Sequence, residues 1–240
     1  RDPAMILDTL PPADWAAAWP YLLGAFVCGY VLGAIPFGKI FTRWAGLGDI
    51  RDIGSGNIGA TNVLRTGNKR IAFLTLVFDA GKGAFAAFIA SGILFKWFGL
   101  PVYWGGELMM AAAALGAFVG HIFPVGLGFR GGKGIATFFG TVFALHWPTG
   151  LIAAALWLAT AFLTRYSSLA ALVAVFGTPV AAFAFGDRIV AFVSLFFALM
   201  VIWSHWSNIM RLVSGAEPKI GQKKPPSQDE MMGHNGGPYL

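Results

Sequence analysis

The chain has 240 residues, of which 57% are hydrophobic and 12% are charged, with a formal net charge of +6. Soluble domains carry about 25% charged residues, so this chain lacks the polar residues needed to cover its surface in water, and we expect a membrane protein. Its single cysteine, Cys28, excludes a disulfide framework and a cysteine-rich metal site.

Seven apolar segments predict an all-α fold, a polytopic membrane bundle of about seven transmembrane helices. Five of the segments reach the length of roughly 17 to 25 residues that a spanning helix needs. The fourth and fifth are shorter and are separated by Pro148, so they are either two short spans or one re-entrant pair. In chain order the segments are 16–42, 71–98, 104–128, 134–147, 149–164, 167–186 and 188–205.

The basic residues between these segments lie in alternate gaps, and this pattern predicts the orientation. One set of gaps holds Arg43, Arg51, Arg65, Lys69, Arg70, Arg130, Lys133, Arg165, Arg211, Lys219, Lys223 and Lys224. The other set holds few basic residues, beside the acidic residues Asp2, Asp8, Asp14, Glu107 and Asp187. Because positively charged loops stay in the cytoplasm, we expect the N-terminus outside and the C-terminus in the cytoplasm.

The same pattern predicts one transmembrane domain with a tail at each end. Residues 16–213 form the transmembrane domain. Residues 1–15 form an N-terminal tail, and the part before Met5 looks like a remnant of an expression vector. Residues 214–240 are polar, with Pro225 and Pro226, and we expect a mostly disordered C-terminal tail.

The first polar motif is GSGNIGATN at residues 54–62, which begins with the G-x-G-x-x-G pattern of dinucleotide-binding proteins. That function requires a preceding strand, whereas a predicted membrane helix precedes this loop, so we reject it. Glycine-rich backbone can still turn its amide groups toward a phosphate. We therefore prefer an anion site to a simple surface turn. Its candidate residues are Gly54, Ser55, Gly56, Asn57, Gly59, Thr61 and Asn62, followed by Arg65.

Three further polar groups lie on the same predicted side of the membrane. Asp79, Lys82 and Gly83 lie within an apolar segment, where ionisable residues are costly and usually functional. A structural ion pair is the alternative for the two charged residues. The next group offers cations and amides at a predicted helix start, namely Arg130, Gly131, Gly132, Lys133, Gly134 and Thr137, preceded by His121. The last group places His205, Asn208 and Arg211 within one sector of a helix.

Both histidines of these groups have a structural interpretation that the sequence leaves open. His121 is as consistent with a buried structural residue as with a catalytic one. His205 lies close to Trp203 and Trp206, which are typical of a membrane interface. Because the histidines are scattered and the carboxylates are few, we expect no metal site and no cofactor.

These motifs resemble those of the bacterial acyl-phosphate–glycerol-3-phosphate acyltransferases. The similar stretches are GSGNIGATN with Arg65, FDAGKGAF, GHIFPVGLGFRGGKGIAT and HWSNIMRLVSGAEPKIGQK, in this order between residues 54 and 223. The resemblance implies an enzyme that transfers an acyl chain from acyl phosphate to position 1 of glycerol 3-phosphate, giving lysophosphatidic acid and phosphate. It implies a multi-pass protein that acts at the cytoplasmic face of the bacterial inner membrane. The expected partners are glycerol 3-phosphate, acyl phosphate and membrane lipid, with no nucleic acid, and we expect a monomer.

The resemblance also implies catalytic roles for five residues. Ser55 and Arg65 would hold one phosphate and its developing charge. Lys133 would stabilise the transferring group or the leaving phosphate, because an acyl phosphate is already activated and needs mainly positioning and charge stabilisation. His205 and Asn208 would contact a substrate and orient or deprotonate the attacking hydroxyl.

The remaining motif residues would bind substrate. Glycerol 3-phosphate would lie near Asp79, Lys82 and Gly83. The resemblance at the end of the chain adds Arg211, Glu217 and Lys219 to the binding residues. The identity of the base stays open among His205, His121, Asp79 and the phosphate of the acyl donor.

Two other classes of function fit the sequence less well. A transporter of a phosphorylated solute would suit several spans and intramembrane charge, but the polar groups cluster on one face and the two halves show no convincing repeat. A phospholipid phosphatase or phosphatidyltransferase would need more acidic metal ligands. The His-x4-Asp motif of acyl-carrier-protein- and coenzyme-A-dependent acyltransferases is absent, since Gly126, Leu151, Met210 and Tyr239 lie five positions after the histidines.

Overall fold

The structure, a computed structural model, describes residues 12–90 and 106–222, so the predictions for the N-terminal residues before Pro12, for residues 91–105 and for the end of the tail lie outside it. The elements in the described residues are all helices, and this confirms the all-α prediction. The α-helices are α1 (Pro12–Gly33), α2 (Phe37–Trp44), α3 (Ala60–Val63), α4 (Lys69–Ile89), α5 (Gly106–Ile122), α6 (Ile135–Leu145), α7 (Trp147–Thr164), α8 (Ser167–Ala184), α9 (Arg188–Ser204) and α10 (Trp206–Val213).

Several of these helices are long and apolar enough to cross a bilayer. Within the described residues five stretches qualify, namely Ala18–Trp44, Lys69–Ile89, Glu107–Leu127, Trp147–Thr164 and Ser167–Ala184. A sixth is added if α9 and α10, which are bent by 66° against each other, count as one span. The predicted polytopic membrane bundle is therefore confirmed. The count of seven spans and the orientation stay predictions, and the 11-residue α6 is compatible with either a short span or a re-entrant segment.

The first apolar segment, predicted as one run over 16–42, is divided into α1 and α2. The division falls at Pro36, whose backbone is not helical, with φ −89° and ψ 73°. Proline has no amide hydrogen and disfavours helical backbone in the residue before it, so the helix stops and restarts. At the break the carbonyl of Ile35 accepts a hydrogen bond from the amide of Phe37 at 3.1 Å, and it has room for a second donor, which the second motif supplies.

Small residues allow two helix pairs to approach closely. A Cβ atom on Gly29 or Gly33 of α1 would overlap the backbone of α5 at Ala113 and Ala117. In the same way, a Cβ atom on Gly140 of α6 would overlap the carbonyl of Ala80 in α4. Such contacts between small residues are typical of packed membrane helices. They fix α4, the α1–α5 pair and α6 around one end of the bundle, where the motif loops lie.

Aromatic packing joins α5, α6 and α9. The rings of Phe118 and Phe197 have centroids 4.2 Å apart, and Phe138 meets Phe197 edge to face at 6.1 Å. All three side chains are fully buried. Because α5 and α6 flank the loop that carries Lys133, and α9 leads to His205, this core sets the distance between the third and fourth motifs.

The C-terminal tail begins differently from the prediction of disorder after Ser214. Residues 214–222, which we name the C-terminal strap, fold back against the bundle. Glu217 is only 8% exposed, and its carboxylate accepts hydrogen bonds from Asn208 and Arg211. A buried carboxylate with charged and amide donors gives this polar segment a reason to be ordered that its composition does not show.

The close approach of α1 and α5 gives a matched pair of substitutions. Gly29→Ala should lower stability by about 1–3 kcal/mol, because the added methyl group must push the two backbones apart. Gly24→Ala lies on the same helix with no atom within 4 Å of the new Cβ atom, so its stability should stay unchanged or rise slightly. Thermal unfolding in detergent measures both, and equal unfolding temperatures for the two variants would contradict the described packing.

Candidate active site

The first motif forms a loop that closes around the side chain of Asn62. This side chain is 2% exposed, and its Oδ1 atom accepts a hydrogen bond from the amide of Ser55 at 3.0 Å. Its Nδ2 atom donates to the carbonyls of Ile50, Ile53 and Asn57 at 3.1, 2.8 and 2.8 Å. The protein itself therefore uses both ends of the amide, and this favours a positioning role for Asn62 over the substrate contact predicted from the sequence.

Two glycines of this loop let Arg65 lie across it. Gly54 and Gly56 have φ angles of +58° and +70°, in the left-handed region that glycine adopts without strain. A Cβ atom on Gly54 would stand 2.8 Å from Cδ and 3.0 Å from a guanidinium nitrogen of Arg65, so this side chain packs against the residue before the exposed Ser55. Of the other predicted loop residues, Gly59 precedes α3 and Thr61 is exposed on it. The structure thus places Arg65 against the loop that carries Ser55, and the phosphate site formed by the two residues stays a prediction.

Asp49, which the sequence analysis did not single out, attaches this loop to α2. Its carboxylate lies 2.8 Å from Arg51, 3.3 Å from Lys39 and 3.6 Å from Arg43. Hydrogen bonds from Arg51 hold the pKa of the Asp49 carboxyl well below its usual value. The position of Asp49 between Arg43 and Arg51 was the signal in the sequence that could have identified it.

The second motif is a sealed ion pair inside the bundle. Lys82 Nζ lies 3.0 Å from the carboxylate of Asp79, and the two residues are 5% and 1% exposed. Lys82 also donates to the carbonyl of Ile35 at 3.0 Å, at the break between α1 and α2. The structural ion pair that the sequence left open is therefore present. Lys82 ties α4 to the helix break by adding a second hydrogen bond to the Ile35 carbonyl, which also accepts from the Phe37 amide.

Two more predicted binding residues belong to this sealed cluster. Nδ1 of His121 lies 3.8 Å from the Asp79 carboxylate, and the side chain is buried. Thr137 donates its hydroxyl to the main-chain carbonyl of Asp79 at 2.9 Å. Gly83 packs directly against α6, since a Cβ atom there would meet the Thr137 carbonyl at 2.9 Å. The contacts described for these residues connect helices, so their binding of glycerol 3-phosphate stays a proposal.

The glycines of the third motif use their amides within the protein. The N–H group of Gly131 donates to the carbonyl of Ile122, and that of Gly132 donates to the carbonyl of His121, both at 3.0 Å. A Cβ atom on Gly132 would also overlap the His121 ring. The predicted cradle of free amides is therefore corrected for these two glycines, whose amide groups fold the loop.

Lys133 is the residue of this loop that joins the fourth motif. Its ammonium group donates to Oδ1 of Asn208, and Nδ2 of Asn208 donates to the Glu217 carboxylate at 2.6 Å. Arg211 donates to the other carboxylate oxygen at 2.7 Å. The hydroxyl of Ser204 donates to the main-chain carbonyl of Lys133 at 3.2 Å and fixes the loop to the end of α9. A chain of charge-assisted hydrogen bonds therefore crosses from the third motif to the strap.

His205 lies beside these hydrogen bonds, and one of its ring nitrogens has a hydrogen-bond partner. Its Nδ1 atom lies 3.1 Å from the carbonyl oxygen of Val201. Nδ1 also lies 3.2 Å from the Ser204 hydroxyl, which donates to the Lys133 carbonyl. Because a carbonyl oxygen only accepts, these contacts favour a proton on Nδ1 of the neutral ring and leave Nε2 as an acceptor. An Nε2 lone pair is the form that a general base needs.

The electrostatics of Lys133 show an excess of positive charge. Burial lowers the pKa of Lys133 to about 8; Glu217 opposes this shift, while Arg211 and Arg65 add to it. Burial alone would raise the pKa of Glu217, but hydrogen bonds from Asn208 and Arg211 outweigh it, so the carboxyl titrates below its usual pKa. In this part of the described structure, three positively charged side chains therefore surround a site with one negatively charged carboxylate. We name Arg65, Lys133, Arg211 and Glu217 the cationic cluster.

The remaining predicted residues lie at the edge of the cluster. Arg130 is exposed, and Gly134 begins α6 with φ +85° against the ring of Phe118. Lys219 places its ammonium 5.6 Å from the centre of the Tyr166 ring, at the turn between α7 and α8. Across residues 12–90 and 106–222, no group of three or more histidine, cysteine or carboxylate side chains is placed to hold a metal ion.

Another residue that the sequence did not indicate is Tyr30, on α1. Its hydroxyl donates to the carbonyl of Phe123 at 2.7 Å and accepts from the amide of Val125 at 3.2 Å. The hydroxyl therefore holds the start of the third-motif loop. A tyrosine near the end of an apolar helix is common at a membrane interface, so its sequence position gave no specific signal.

Fold and site together define an integral membrane protein with a cationic cluster between the loops of a helical bundle. The glycerol-3-phosphate acyltransferase family profile matches residues 23–215. The chain is 52% identical to the glycerol-3-phosphate acyltransferase of Brucella anthropi over 202 residues, 84% of this chain and 94% of the relative. It is 53% identical to that of Dinoroseobacter shibae over 198 residues, 82% of this chain and 92% of the relative. This chain belongs to the glycerol-3-phosphate acyltransferase family.

Solved structures agree with this assignment. The crystal structure of PlsY, an integral membrane glycerol 3-phosphate acyltransferase, in its glycerol 3-phosphate form has a TM-score of 0.74 and 34% identity, covering 83% of this chain and 96% of that chain. The lysophosphatidic acid form of PlsY has a TM-score of 0.73 and 33% identity, covering 83% and 95%. The family resemblance found in the sequence motifs is confirmed.

The sealed pair of Asp79 and Lys82 makes a prediction about stability. Lys82→Met should destabilise the protein by about 3–5 kcal/mol, because it leaves a buried carboxylate without its cation. The double variant Asp79→Asn with Lys82→Met removes both charges and should recover part of this loss. The measurement is thermal unfolding in detergent. A single variant as stable as the wild type would show that the pair does not hold the bundle together.

Proposed function

We propose that this protein transfers an acyl chain from acyl phosphate to position 1 of glycerol 3-phosphate, giving lysophosphatidic acid and phosphate. The observation that carries the proposal is the cationic cluster, in which Arg65, Lys133 and Arg211 face one carboxylate. Two positive charges are left for an anion to compensate. The family motifs supply all of these residues, and the solved relative PlsY has a glycerol 3-phosphate form and a lysophosphatidic acid form.

The chemistry of an acyl phosphate fits a site without a covalent nucleophile. The hydroxyl oxygen of glycerol 3-phosphate attacks the acyl carbonyl carbon, a new ester C–O bond forms, and the bond from that carbon to the phosphate oxygen breaks. The electron pair of the broken bond leaves on phosphate. Lys133 and Arg65 stabilise that charge, while Ser55 beside Arg65 holds a phosphate group.

The proton of the attacking hydroxyl needs an acceptor near the cationic cluster. His205 is the histidine next to Lys133, and its Nε2 atom is the acceptor of the neutral ring. The leaving phosphate can take the same proton without any side chain. Asp79 and His121 suit the role of general base less well. The Asp79 carboxylate is paired with Lys82 inside the bundle, and His121 is buried beside that pair. We assign the proton to His205 or the donor phosphate.

The proposed setting is the cytoplasmic face of the bacterial inner membrane. The motif loops share one end of the bundle with most of the basic residues of the chain, which supports a cytoplasmic location for that end. The acyl chain of the donor would remain in the bilayer between helices, while its phosphate reaches Lys133. One chain supplies every residue of the cationic cluster, in agreement with an active monomer.

The direct test is an assay of purified protein in lipid nanodiscs. Palmitoyl phosphate and radiolabelled glycerol 3-phosphate should give lysophosphatidic acid and an equal amount of phosphate, whereas palmitoyl coenzyme A should give no product. Folded protein that forms no lysophosphatidic acid from palmitoyl phosphate would overturn the proposal.

The same assay tests Lys133. Lys133→Met should lower kcat/KM by roughly 100- to 1000-fold, the usual effect of removing a charged donor at a reacting phosphate. Lys69→Met removes an exposed lysine at the start of α4 and should leave the rate unchanged. The wild-type rate should fall as the pH rises through about 8, because Lys133 then loses its proton. A rate that stays flat up to pH 10 would exclude Lys133 as the required cation.

A further inference from the structure

The C-terminal strap carries Glu217 into the site, where Ser168 of α8 adds a polar contact to its carboxylate, while the backbone bonds at the start of the strap run to α10. The amides of Ala216 and Glu217 both donate to the carbonyl of Arg211, at 2.8 and 3.1 Å. These bonds lie within one continuous segment, residues 206–222, and would move with it. They do not explain what fixes α10 and the strap relative to the rest of the bundle.

Arg165 supplies that attachment. Its main-chain carbonyl accepts a hydrogen bond from the amide of Ile220 at 2.7 Å, and its guanidinium donates to the carbonyl of Ile220 at 2.9 Å. Among the described residues, the backbone hydrogen bonds of the strap that reach beyond α10 go to Arg165, and they act beside the side-chain contacts of Glu217 with Ser168 and, through Asn208, with Lys133. Next to it, the Lys219 ammonium stands over the Tyr166 ring.

The conformation of Arg165 suits this attachment. It lies in the turn between α7 and α8 with φ +62° and ψ +17°, a left-handed conformation that residues other than glycine seldom adopt. Glycine would make the same turn with less strain. The left-handed turn directs the carbonyl of residue 165 away from α7 and toward the strap. The presence of an arginine is explained by its second bond, which only a long donor side chain can make.

The strap in turn sets the geometry around Lys133. Glu217 stands three residues before Ile220 and accepts from Asn208, which accepts from the Lys133 ammonium. We propose that Arg165 is a positioning residue for acyl transfer: by holding Ile220 it keeps the Glu217 carboxylate aligned on Asn208 and Lys133. This inference rests on the proposed function of Lys133 and adds a residue, 55 positions from Ile220 in sequence, that touches no substrate.

Release of the strap has a defined electrostatic effect. The charged or titratable groups that face Lys133 are Glu217 of the strap, Arg211 of α10, Arg65 of the first loop and His205. Glu217 is the negative one. If the strap moves away, Lys133 loses that stabilisation and its pKa falls below about 8. The decline of the rate at high pH should then move to lower pH. Removal of the Arg165 charge without movement of the strap would raise the pKa of Lys133 and move the decline to higher pH.

The experiment compares Arg165→Met with Arg43→Met in the full chain in nanodiscs. Arg43 is an exposed arginine whose partner Asp49 keeps Lys39 and Arg51 in its absence. Arg165→Met should lower kcat roughly tenfold, with KM for glycerol 3-phosphate nearly unchanged, and should shift the high-pH decline downward. Arg165→Lys, which keeps a donor, should recover part of the rate, and Arg43→Met should match the wild type.

Amide hydrogen exchange of residues 214–222 tests the attachment without any substrate. Exchange in this segment should be about tenfold faster in Arg165→Met than in the wild type, because the segment loses a hydrogen bond to the bundle. Arg165→Gly relieves the strained turn, so it should fold at least as well and still show fast exchange.

The outcomes separate the two proposals. A folded wild type without acyl transfer defeats the proposed function, while the exchange measurement still tests the strap. An active wild type whose Arg165→Met variant keeps slow exchange, or keeps the high-pH decline at the wild-type pH or above it, overturns the role of Arg165.

Discussion

The arrangement of the site depends on the hydrogen bonds that the Glu217 carboxylate accepts. It accepts from Asn208 and Arg211, and through Asn208 it reaches the ammonium of Lys133. Without this negative charge, the arginines and the lysine would repel one another across the gap between two loops and a helix. One carboxylate is enough to assemble the cations and too little to neutralise them. The uncompensated charge is the feature on which the proposed binding of a phosphate rests.

The second polar cluster shows the contrasting case of a balanced pair. Asp79 and Lys82 neutralise each other inside the bundle, and their remaining contacts are to backbone carbonyls and neighbouring helices. A buried pair of this kind costs desolvation energy and is disrupted strongly when one partner is removed. It therefore suits the task of fixing the break between α1 and α2. The neutral pair of Asp79 and Lys82 thus stabilises the fold, whereas the proposed chemistry uses the excess positive charge of the cationic cluster.

Much of the architecture was predictable because it follows from local composition. The apolar segments and the clustering of basic residues follow from the solubility of side chains in lipid and water. The break predicted at Pro148 lies two residues earlier, at His146, because proline is accepted in the first turn of α7. Pro36 divided the first segment, and the sequence analysis could have used it. The start of the tail was predicted as disordered because its composition is polar, and composition does not show that Glu217 finds donors nine and six residues earlier.

The site was predictable in its residue types and less so in its geometry. Ser55, Arg65, Lys133 and Asn208 stood out as polar residues in glycine-rich or apolar surroundings. The loops themselves bond the side-chain amide of Asn62 and the backbone amides of Gly131 and Gly132. These bonds depend on the folded backbone, so the spacing of residues in the sequence does not predict them. Arg165 was seen only as one basic residue of a cytoplasmic gap, because its partner Ile220 is 55 residues away.

The central claim is that the cationic cluster binds the phosphate of the acyl donor. Calorimetric titration with a non-hydrolysable acyl phosphonate measures this binding without any chemical step. Wild type and Lys69→Met should bind with the same affinity, and Lys133→Met should bind roughly 10- to 100-fold more weakly, as expected for the loss of a charged hydrogen-bond donor. Equal affinity in all three proteins would contradict the claim.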